Sequence, residues 1–182
     1  MRTSILLSVL ILGLGQLQAQ PDPKGIFVCT PCGYDCDLVE HDGPGTCSVC
    51  NMEIVDKATV HFDNITFVEA CNRVKENRKA LLLDVRSPGE FDGSESSRDT
   101  FGHLKGAINI NVVELADRVE ELRPYKDAEI IVYCSQSHRS PAATYFLTNN
   151  GFSNVVNVSG GVSILEAQFG NDTCLSDLFV KH

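Results

Sequence analysis

Residues 130–141 read IIVYCSQSHRSP, an apolar run followed by a polar loop that begins at Cys134. The β-branched and aromatic residues of the run favour a strand, and an unbroken apolar run is typical of a strand buried on both faces of a parallel sheet. Ser140 is a favourable N-cap residue and Pro141 fits the first position of a helix. Residues 149–151 then end that helix. The stretch predicts a strand, a loop and a helix, with a thiol held at the helix N-terminus.

Residues 59–182 show alternating strand and helix signals around this unit. Thr66 and Glu69 have the capping-box spacing that begins a short helix. The other predicted elements are strands at 80–85, 107–110 and 155–158, a proline–glycine turn at 88–89, a polar insertion at 92–100, and helices at 113–122 and after Gly160-Gly161. Strands separated by helices predict an α/β domain with a mainly parallel sheet and helices on both faces. Ligands of such sheets bind at the carboxyl ends of the strands, where Cys134 lies.

The composition limits the classes of partner. The chain has 182 residues, of which 43% are hydrophobic, so it can form one ordinary domain and a smaller unit. Its formal net charge is -9, from 15 basic and 24 acidic side chains. Binding to a phosphate backbone needs clustered Lys and Arg, and no basic block is present, so nucleic acid is not an expected partner.

Residues 1–19 are typical of a secretory signal peptide. Arg2 supplies a short positive start, residues 5–15 are apolar, and a cleavage site is predicted after Ala19. An uncleaved membrane anchor is the other interpretation, but the apolar run is shorter than the roughly 20 residues that cross a bilayer. We therefore expect an exported protein, periplasmic or extracellular, without a stable membrane span. Residues 20–25 form a polar linker.

Five of the eight cysteines lie between residues 29 and 50, in a segment predicted to be a small cysteine-rich domain at 26–58. Such a short segment needs a metal or a disulfide to fold. Its two Cys-x2-Cys pairs have the spacing of a four-thiolate zinc site, and Cys36 and His41 are further candidates. Another soft metal also fits, because Met52 adds a thioether that suits copper(I). Two disulfides remain the alternative. The predicted ligands are Cys29, Cys32, Cys47 and Cys50.

The cysteine-rich domain also resembles the small heavy-metal-binding domain of bacterial metal-handling proteins. The resemblance rests on residues 27–29 (FVC) and 44–52 (PGTCSVCNM). The chain departs from that family at residues 31–33, where Pro-Cys-Gly replaces the usual Met-His-Pro, and at Asn51, which replaces glycine. The resemblance implies a metal site without naming the metal.

Residues 62–170 resemble a single rhodanese domain. The matching motifs are 83–91 (LDVRSPGEF), 102–109 (GHLKGAIN), the loop from Cys134 to Ser140, and 158–161 (VSGG). The resemblance implies a thiosulfate-type sulfurtransferase that carries sulfur as a persulfide on Cys134 and needs no cofactor for the transfer. Its expected partners are thiosulfate or another sulfane-sulfur donor, and a thiol or other thiophilic acceptor.

The residue types in the loop fit this chemistry. A Cys134 thiolate would attack the outer sulfur of the donor, and backbone N–H groups around it would stabilise the negative charge. The predicted substrate-binding residues are Ser135, Gln136, Ser137, His138 and Arg139. Asp84 and Arg86 are expected to form a structural ion pair beneath the site. Ser137 stands where many active members have glycine, which costs stability if the position requires positive φ.

Three questions stay open from the sequence. The chain could be a catalytically weak binding module with the rhodanese fold, acting in metal sensing or delivery. It could also be a phosphatase, although those with this fold have one more residue between cysteine and arginine, and the narrower loop here favours sulfur. Cys71 and Cys174 lie on the first and last predicted helices and could form a disulfide in an exported protein.

Overall fold

The computed structural model of the protein describes residues 25–95, 102–165 and 173–182. The predicted signal peptide lies outside these ranges, as do residues 20–24 of the linker and 96–100 of the polar insertion. Within the described ranges, every helix is too short or too polar to span a bilayer.

The cysteine-rich domain forms a small antiparallel sheet. Its strands are β1 (Phe27–Cys29), β2 (Glu40–His41), β3 (Gly45–Thr46) and β4 (Glu53–Asp56). They lie in the order β2-β1-β4-β3, and short 3-10 helices at Asp35–Leu38 and Lys57–Thr59 follow β1 and β4. Buried cysteines, Met52 and Ile54 make up its core. The packed interior of this domain is therefore formed largely by thiols.

The remainder of the described chain is built on a second sheet with helices around it. Its strands are β5 (Asp63–Ile65), β6 (Leu81–Asp84), β7 (His103–Leu104), β8 (Ile108–Asn109), β9 (Ile130–Tyr133), β10 (Val155–Val158) and β11 (Phe179–Val180). The helices are α1 (Phe67–Glu76), α2 (Pro88–Asp92), α3 (Leu115–Arg118), α4 (Arg139–Asn149) and α5 (Thr173–Leu178). Five strands form a sheet in the order β5-β10-β9-β6-β8, and β7 pairs with β11 separately.

All pairings in the five-stranded sheet are parallel. Every residue of β6, β9 and β10 is buried. Along β9 the side chains alternate between two cores, since Ile131 packs with residues of α1 on one face and Ile130 with residues of α4 on the other. Helices therefore cover both faces, and the predicted α/β class is confirmed.

One local prediction was wrong, and another differs from the structure in helix type and bounds. Residues 88–89 are the start of α2 and not a turn, because Ser87 forms a capping box with Glu90 and Pro88 occupies the first helical position. The helix predicted at 113–122 is a single α-helical turn, α3, which continues as a 3-10 helix over Val119–Tyr125.

A disulfide joins Cys71 in α1 to Cys174 in α5. This is the pairing that the sequence left open. Both residues belong to the same buried core, so the bond ties the C-terminal helix to the first helix. The other six cysteines are free thiols.

Candidate functional site

Cys134 directly follows β9, at the carboxyl end of the central parallel strand. Its side chain is 1% exposed, and its Sγ accepts a hydrogen bond from Oγ of Ser140 over 3.3 Å. A hydroxyl donor stabilises a thiolate more than a thiol, because hydrogen bonds to charged acceptors are the stronger ones. The first turn of α4 therefore supplies a side-chain donor to the sulfur.

Helix α4 begins earlier than the sequence pattern predicts. Its first residue is Arg139, its N-cap is His138, and no side chain caps it. The N-cap role predicted for Ser140 is wrong, since this hydroxyl is directed to Cys134 instead. Pro141 still lies in the first turn, where backbone N–H groups have no partner within the helix, so its missing N–H is tolerated.

The backbone of the Cys134 loop (residues 134–139) is held by the segment that follows β10. The N–H of Val162 donates to the carbonyl oxygen of Cys134 over 2.9 Å, and the N–H of Ser163 donates to that of Ser135 over 3.1 Å. Gly161 has φ of 66°, and a Cβ there would lie 2.0 Å from the carbonyl oxygen of Ser135. Only glycine allows this close approach, which gives the VSGG motif its structural role.

The side chains of the loop fall into two groups. Gln136 and His138 are exposed, whereas Ser135 and Ser137 are 2% and 1% exposed. The Ser135 hydroxyl has no hydrogen-bond partner among the described residues, so it is available to a bound sulfur or oxyanion. Ser137 has φ of 57°, a conformation that costs a serine about 1 kcal/mol relative to glycine. The substrate-binding role of residues 135–139 stays a prediction.

Arg139 is engaged by a residue that the sequence did not single out as part of the site. Its Nη1 lies 2.5 Å from Oε2 of Glu90 and its Nη2 lies 2.7 Å from Oε1. Burial raises the pKa of Glu90, but hydrogen bonds from Arg139 and Ser87 outweigh it and leave the pKa below its ordinary value. The hydrogen bonds that Arg139 donates to Glu90 raise the pKa of Arg139 against the effect of burial. This bidentate pair holds the start of α4 against α2.

Asp84 and Arg86 form the ion pair expected between them. Both side chains are fully buried, and Nη2 of Arg86 lies 2.6 Å from Oδ2 of Asp84. The same nitrogen donates to the carbonyl oxygen of Gly102 over 2.7 Å. Burial lowers the pKa of Arg86, and the hydrogen bonds and charge of Asp84 more than reverse this. The pair links the end of β6 to the GHLKGAIN motif.

The cysteine-rich domain brings four sulfur atoms together. The Sγ atoms lie within 4.8 Å of one another and all four side chains are buried. Tetrahedral thiolate sites for zinc and similar ions need four sulfurs at roughly 2.3 Å from one point, so this four-thiol group fits a soft metal ion. Its members are Cys29, Cys32, Cys36 and Cys50.

This set differs from the predicted ligands. Cys36, a secondary candidate, takes the place that the Cys-x2-Cys spacing assigned to Cys47, and His41 is not a member. Burial raises the pKa of Cys36 to about 11. Backbone N–H groups of Cys50 and Val49 lower the pKa of Cys47 to about 7. Cys47 is buried beside the group.

A cleft of about 500 Å³ lies between the cysteine-rich domain and α4. His138 of the Cys134 loop and Tyr145 of α4 line one side, and Met52 and Glu53 line the other. The volume is in the range of small-molecule sites. The exposed part of the Cys134 loop and the cysteine-rich domain therefore line the same cleft.

Sequence reasoning did not identify Glu90 and Ser140 as site residues. The capping-box spacing of Ser87 and Glu90 could have revealed α2, but the partner of Glu90 lies 49 positions away. The sequence predicts Ser140 to be the N-cap of α4. Its hydroxyl is seen to contact the sulfur of Cys134 only once the start of the helix is known.

The rhodanese-like domain family matches residues 68–167 of the chain. The uncharacterized protein YqhL of Bacillus subtilis is 40% identical over 84 residues, which are 46% of this chain and 59% of YqhL. The tRNA uridine(34) hydroxylase of Buchnera aphidicola is 31% identical over 114 residues, which are 60% of this chain and 33% of that protein. The chain thus spans less than two thirds of the length of these relatives.

Among solved structures, reduced CoADR-RHD of Bacillus anthracis superposes with a TM-score of 0.50 and 31% sequence identity. The match covers 66% of this chain and 18% of that protein. The family match includes the Cys134 loop, Glu90 and Gly161. This chain belongs to the rhodanese-like domain family.

Proposed function

We propose that the protein is an exported sulfurtransferase that carries sulfane sulfur as a persulfide on Cys134. One observation carries the proposal: a cysteine at the carboxyl end of the central strand receives a hydrogen bond from the first turn of the following helix. Such a cysteine is suited to hold negative charge on sulfur.

The transfer takes two balanced steps. The Cys134 thiolate attacks the outer sulfur of thiosulfate, the S–S bond of the donor breaks, and sulfite leaves with the electron pair of that bond. An acceptor thiolate then attacks the outer sulfur of the persulfide and releases the Cys134 thiolate. Ser140 stabilises the thiolate, and the free hydroxyl of Ser135 is available to the added sulfur. No resident cofactor is needed.

The position of Arg139 bears on how the donor is bound. Its guanidinium is already neutralised by Glu90, so the backbone N–H groups of the Cys134 loop are the expected anion ligands. The cleft of about 500 Å³ beside His138 offers room for a small donor or acceptor.

Export is part of the proposal. The disulfide between Cys71 and Cys174 supports it, because such bonds persist in oxidising compartments outside the cytosol. The intact mass of the secreted protein should match a chain that begins at Gln20. The net charge of -9 does not favour binding of tRNA, the substrate in the name of one relative, and the chain covers 33% of that protein.

A thiosulfate reaction tests the sulfurtransferase proposal. One equivalent of sulfite should appear per protein molecule without an acceptor, and turnover should begin when a thiol is added. Cys134→Ser should release no sulfite, whereas Cys47→Ser should still do so. Sulfite release by Cys134→Ser at the wild-type level would reject Cys134 as the carrier.

Metal sensing or delivery is the second candidate function, and the buried four-thiol group favours it. Here the rhodanese-like domain would be a catalytically weak scaffold for a cysteine-rich domain that binds zinc or another soft ion. Elemental analysis of the purified protein, together with the sulfite assay, separates the two. Bound metal without any sulfite release would favour this second function.

A further inference from the structure

Ser137 has a backbone conformation that is unfavourable for serine, and its side chain makes a buried hydrogen bond. The residue has φ of 57°, where glycine is the usual choice. Its hydroxyl is buried and donates to the carbonyl oxygen of Cys32 over 2.7 Å. Nδ2 of Asn157 lies 3.5 Å from the hydroxyl oxygen of Ser137. The hydroxyl therefore connects the Cys134 loop to a member of the four-thiol group.

The Cys32–Tyr34 turn, which this hydroxyl reaches, is itself fixed. The backbone N–H groups of Cys32 and Gly33 both donate to Oδ2 of Asp37, over 2.8 and 2.7 Å. A Cβ on Gly33 would lie 2.5 Å from Oγ of Ser159. The turn thus packs closely against the segment that holds the Cys134 loop.

Two further contacts join the cysteine-rich domain to the same side of the molecule. The ring of Tyr34 lies 6.3 Å from the ring of His138, measured between centroids. A 3-10 helix over Lys57–Thr59 runs out of the domain, and at its last residue, directly after the domain boundary, the hydroxyls of Thr59 and Tyr145 lie 2.7 Å apart. The cysteine-rich domain therefore contacts the Cys134 loop, and the residue that follows it contacts α4. Cys134 itself is 1% exposed.

We infer that Ser137 is a positioning residue that couples metal binding by the four-thiol group to access at Cys134. A metal ion bound through Cys32 holds the Cys32–Tyr34 turn in the conformation that accepts the Ser137 hydrogen bond. Loss of the ion releases the turn, and the loop opens. The inference rests on metal binding by the cysteine-rich domain and does not depend on sulfur transfer.

The test follows the alkylation rate of Cys134 in the full chain. Zinc-loaded protein and protein stripped with a chelator under anaerobic conditions react with iodoacetamide, and the peptide containing Cys134 is quantified by mass spectrometry. Stripping should accelerate alkylation in the wild type. In Ser137→Gly, the loaded protein should already react roughly 2- to 12-fold faster, which is the range expected for loss of one hydrogen bond.

Two variants separate the hydrogen bond from its side effects. Ser137→Ala removes the hydroxyl but keeps the unfavourable backbone conformation, so it should match Ser137→Gly in alkylation while melting at a lower temperature. Ser153→Ala changes an exposed serine and should behave as the wild type. Because the coupling is reciprocal in free energy, the zinc Kd of Ser137→Gly should also rise.

Two results would overturn the inference. One is an equal alkylation rate of Cys134 in loaded and stripped wild-type protein. The other is a Ser137→Gly variant that keeps the wild-type ratio between the two rates. Neither result bears on sulfite release, so a failure of the coupling is distinguishable from a failure of the proposed enzymatic function.

Discussion

Glu90 and Arg139 neutralise each other beside the Cys134 loop, and this changes the role expected of the arginine. A bare guanidinium at this position would attract the donor oxyanion directly. With Nη1 and Nη2 both bonded to Glu90, the arginine instead fixes the start of α4, where the Ser140 hydroxyl contacts the sulfur. The arginine therefore acts on the chemistry through the position of the helix.

Glu90→Gln should destabilise the protein by about 1–3 kcal/mol, because it leaves Arg139 without a charged partner. The pKa of Glu90 is lowered in the folded state, so its contribution is present above the unfolded value of about 4.3 and is lost as the pH falls through the folded value. Urea unfolding at neutral and acidic pH measures both effects. Equal stability of variant and wild type at neutral pH would refute this role for the pair.

Ser140→Ala should slow persulfide formation roughly 10- to 100-fold, because it removes a hydrogen bond to a charged sulfur worth about 1.5–3 kcal/mol. Stopped-flow measurement of sulfite release gives the rate. The control is Ser153→Ala, which alters an exposed serine outside the Cys134 loop. An unchanged rate in Ser140→Ala would mean that this hydroxyl does not assist the thiolate.

The unit of β9, loop and α4 could be predicted from the sequence because its signals are local. Each pattern predicts the conformation of the residues that form it: the apolar run, the polar loop and the serine–proline pair. The exact start of α4 could not be predicted. Ser140 would be the N-cap if its hydroxyl accepted a backbone N–H, but in the structure this hydroxyl donates to Cys134 and His138 is the N-cap. For α2, the capping box of Ser87 was a sufficient local signal that the proline–glycine pair obscured.

The four-thiol group shows where spacing alone fails. Two Cys-x2-Cys pairs predict their own four sulfurs, but the 3-10 helix at Asp35–Leu38 carries Cys36 into the group. That helix is short and has no strong sequence signal. With five cysteines so close together, the ligand set depends on the path of the backbone between them.

Cys36→Ser should therefore lose more zinc affinity than Cys47→Ser. Removal of one of four ligands leaves an incomplete tetrahedral site, whereas Cys47 lies beside the group and is not a member of it. Competition with a chromophoric chelator measures the two affinities in matched cysteine-to-serine variants. A larger loss of zinc affinity in Cys47→Ser than in Cys36→Ser would favour the ligand set that the Cys-x2-Cys spacing predicts.

At the scale of the whole molecule, the sequence indicates two units but not how they meet. The hydrogen bond from Ser137 to Cys32 joins residues separated by 105 positions, and no local pattern encodes it. The order of the parallel strands and the bond between Cys71 and Cys174 likewise depend on tertiary packing. For Ser137, which has a left-handed backbone, the sequence predicts only a cost in stability and not a contact with Cys32.

Cys134, and not the four-thiol group, is the residue proposed to carry the sulfur. Zinc-loaded protein treated with thiosulfate, digested without reduction and analysed by mass spectrometry tests it at the level of single peptides. We expect one added sulfur atom on the peptide that contains Cys134 and none on the peptides of residues 29–50. Added sulfur on the cysteine-rich domain alone, with Cys134 unmodified, would contradict it.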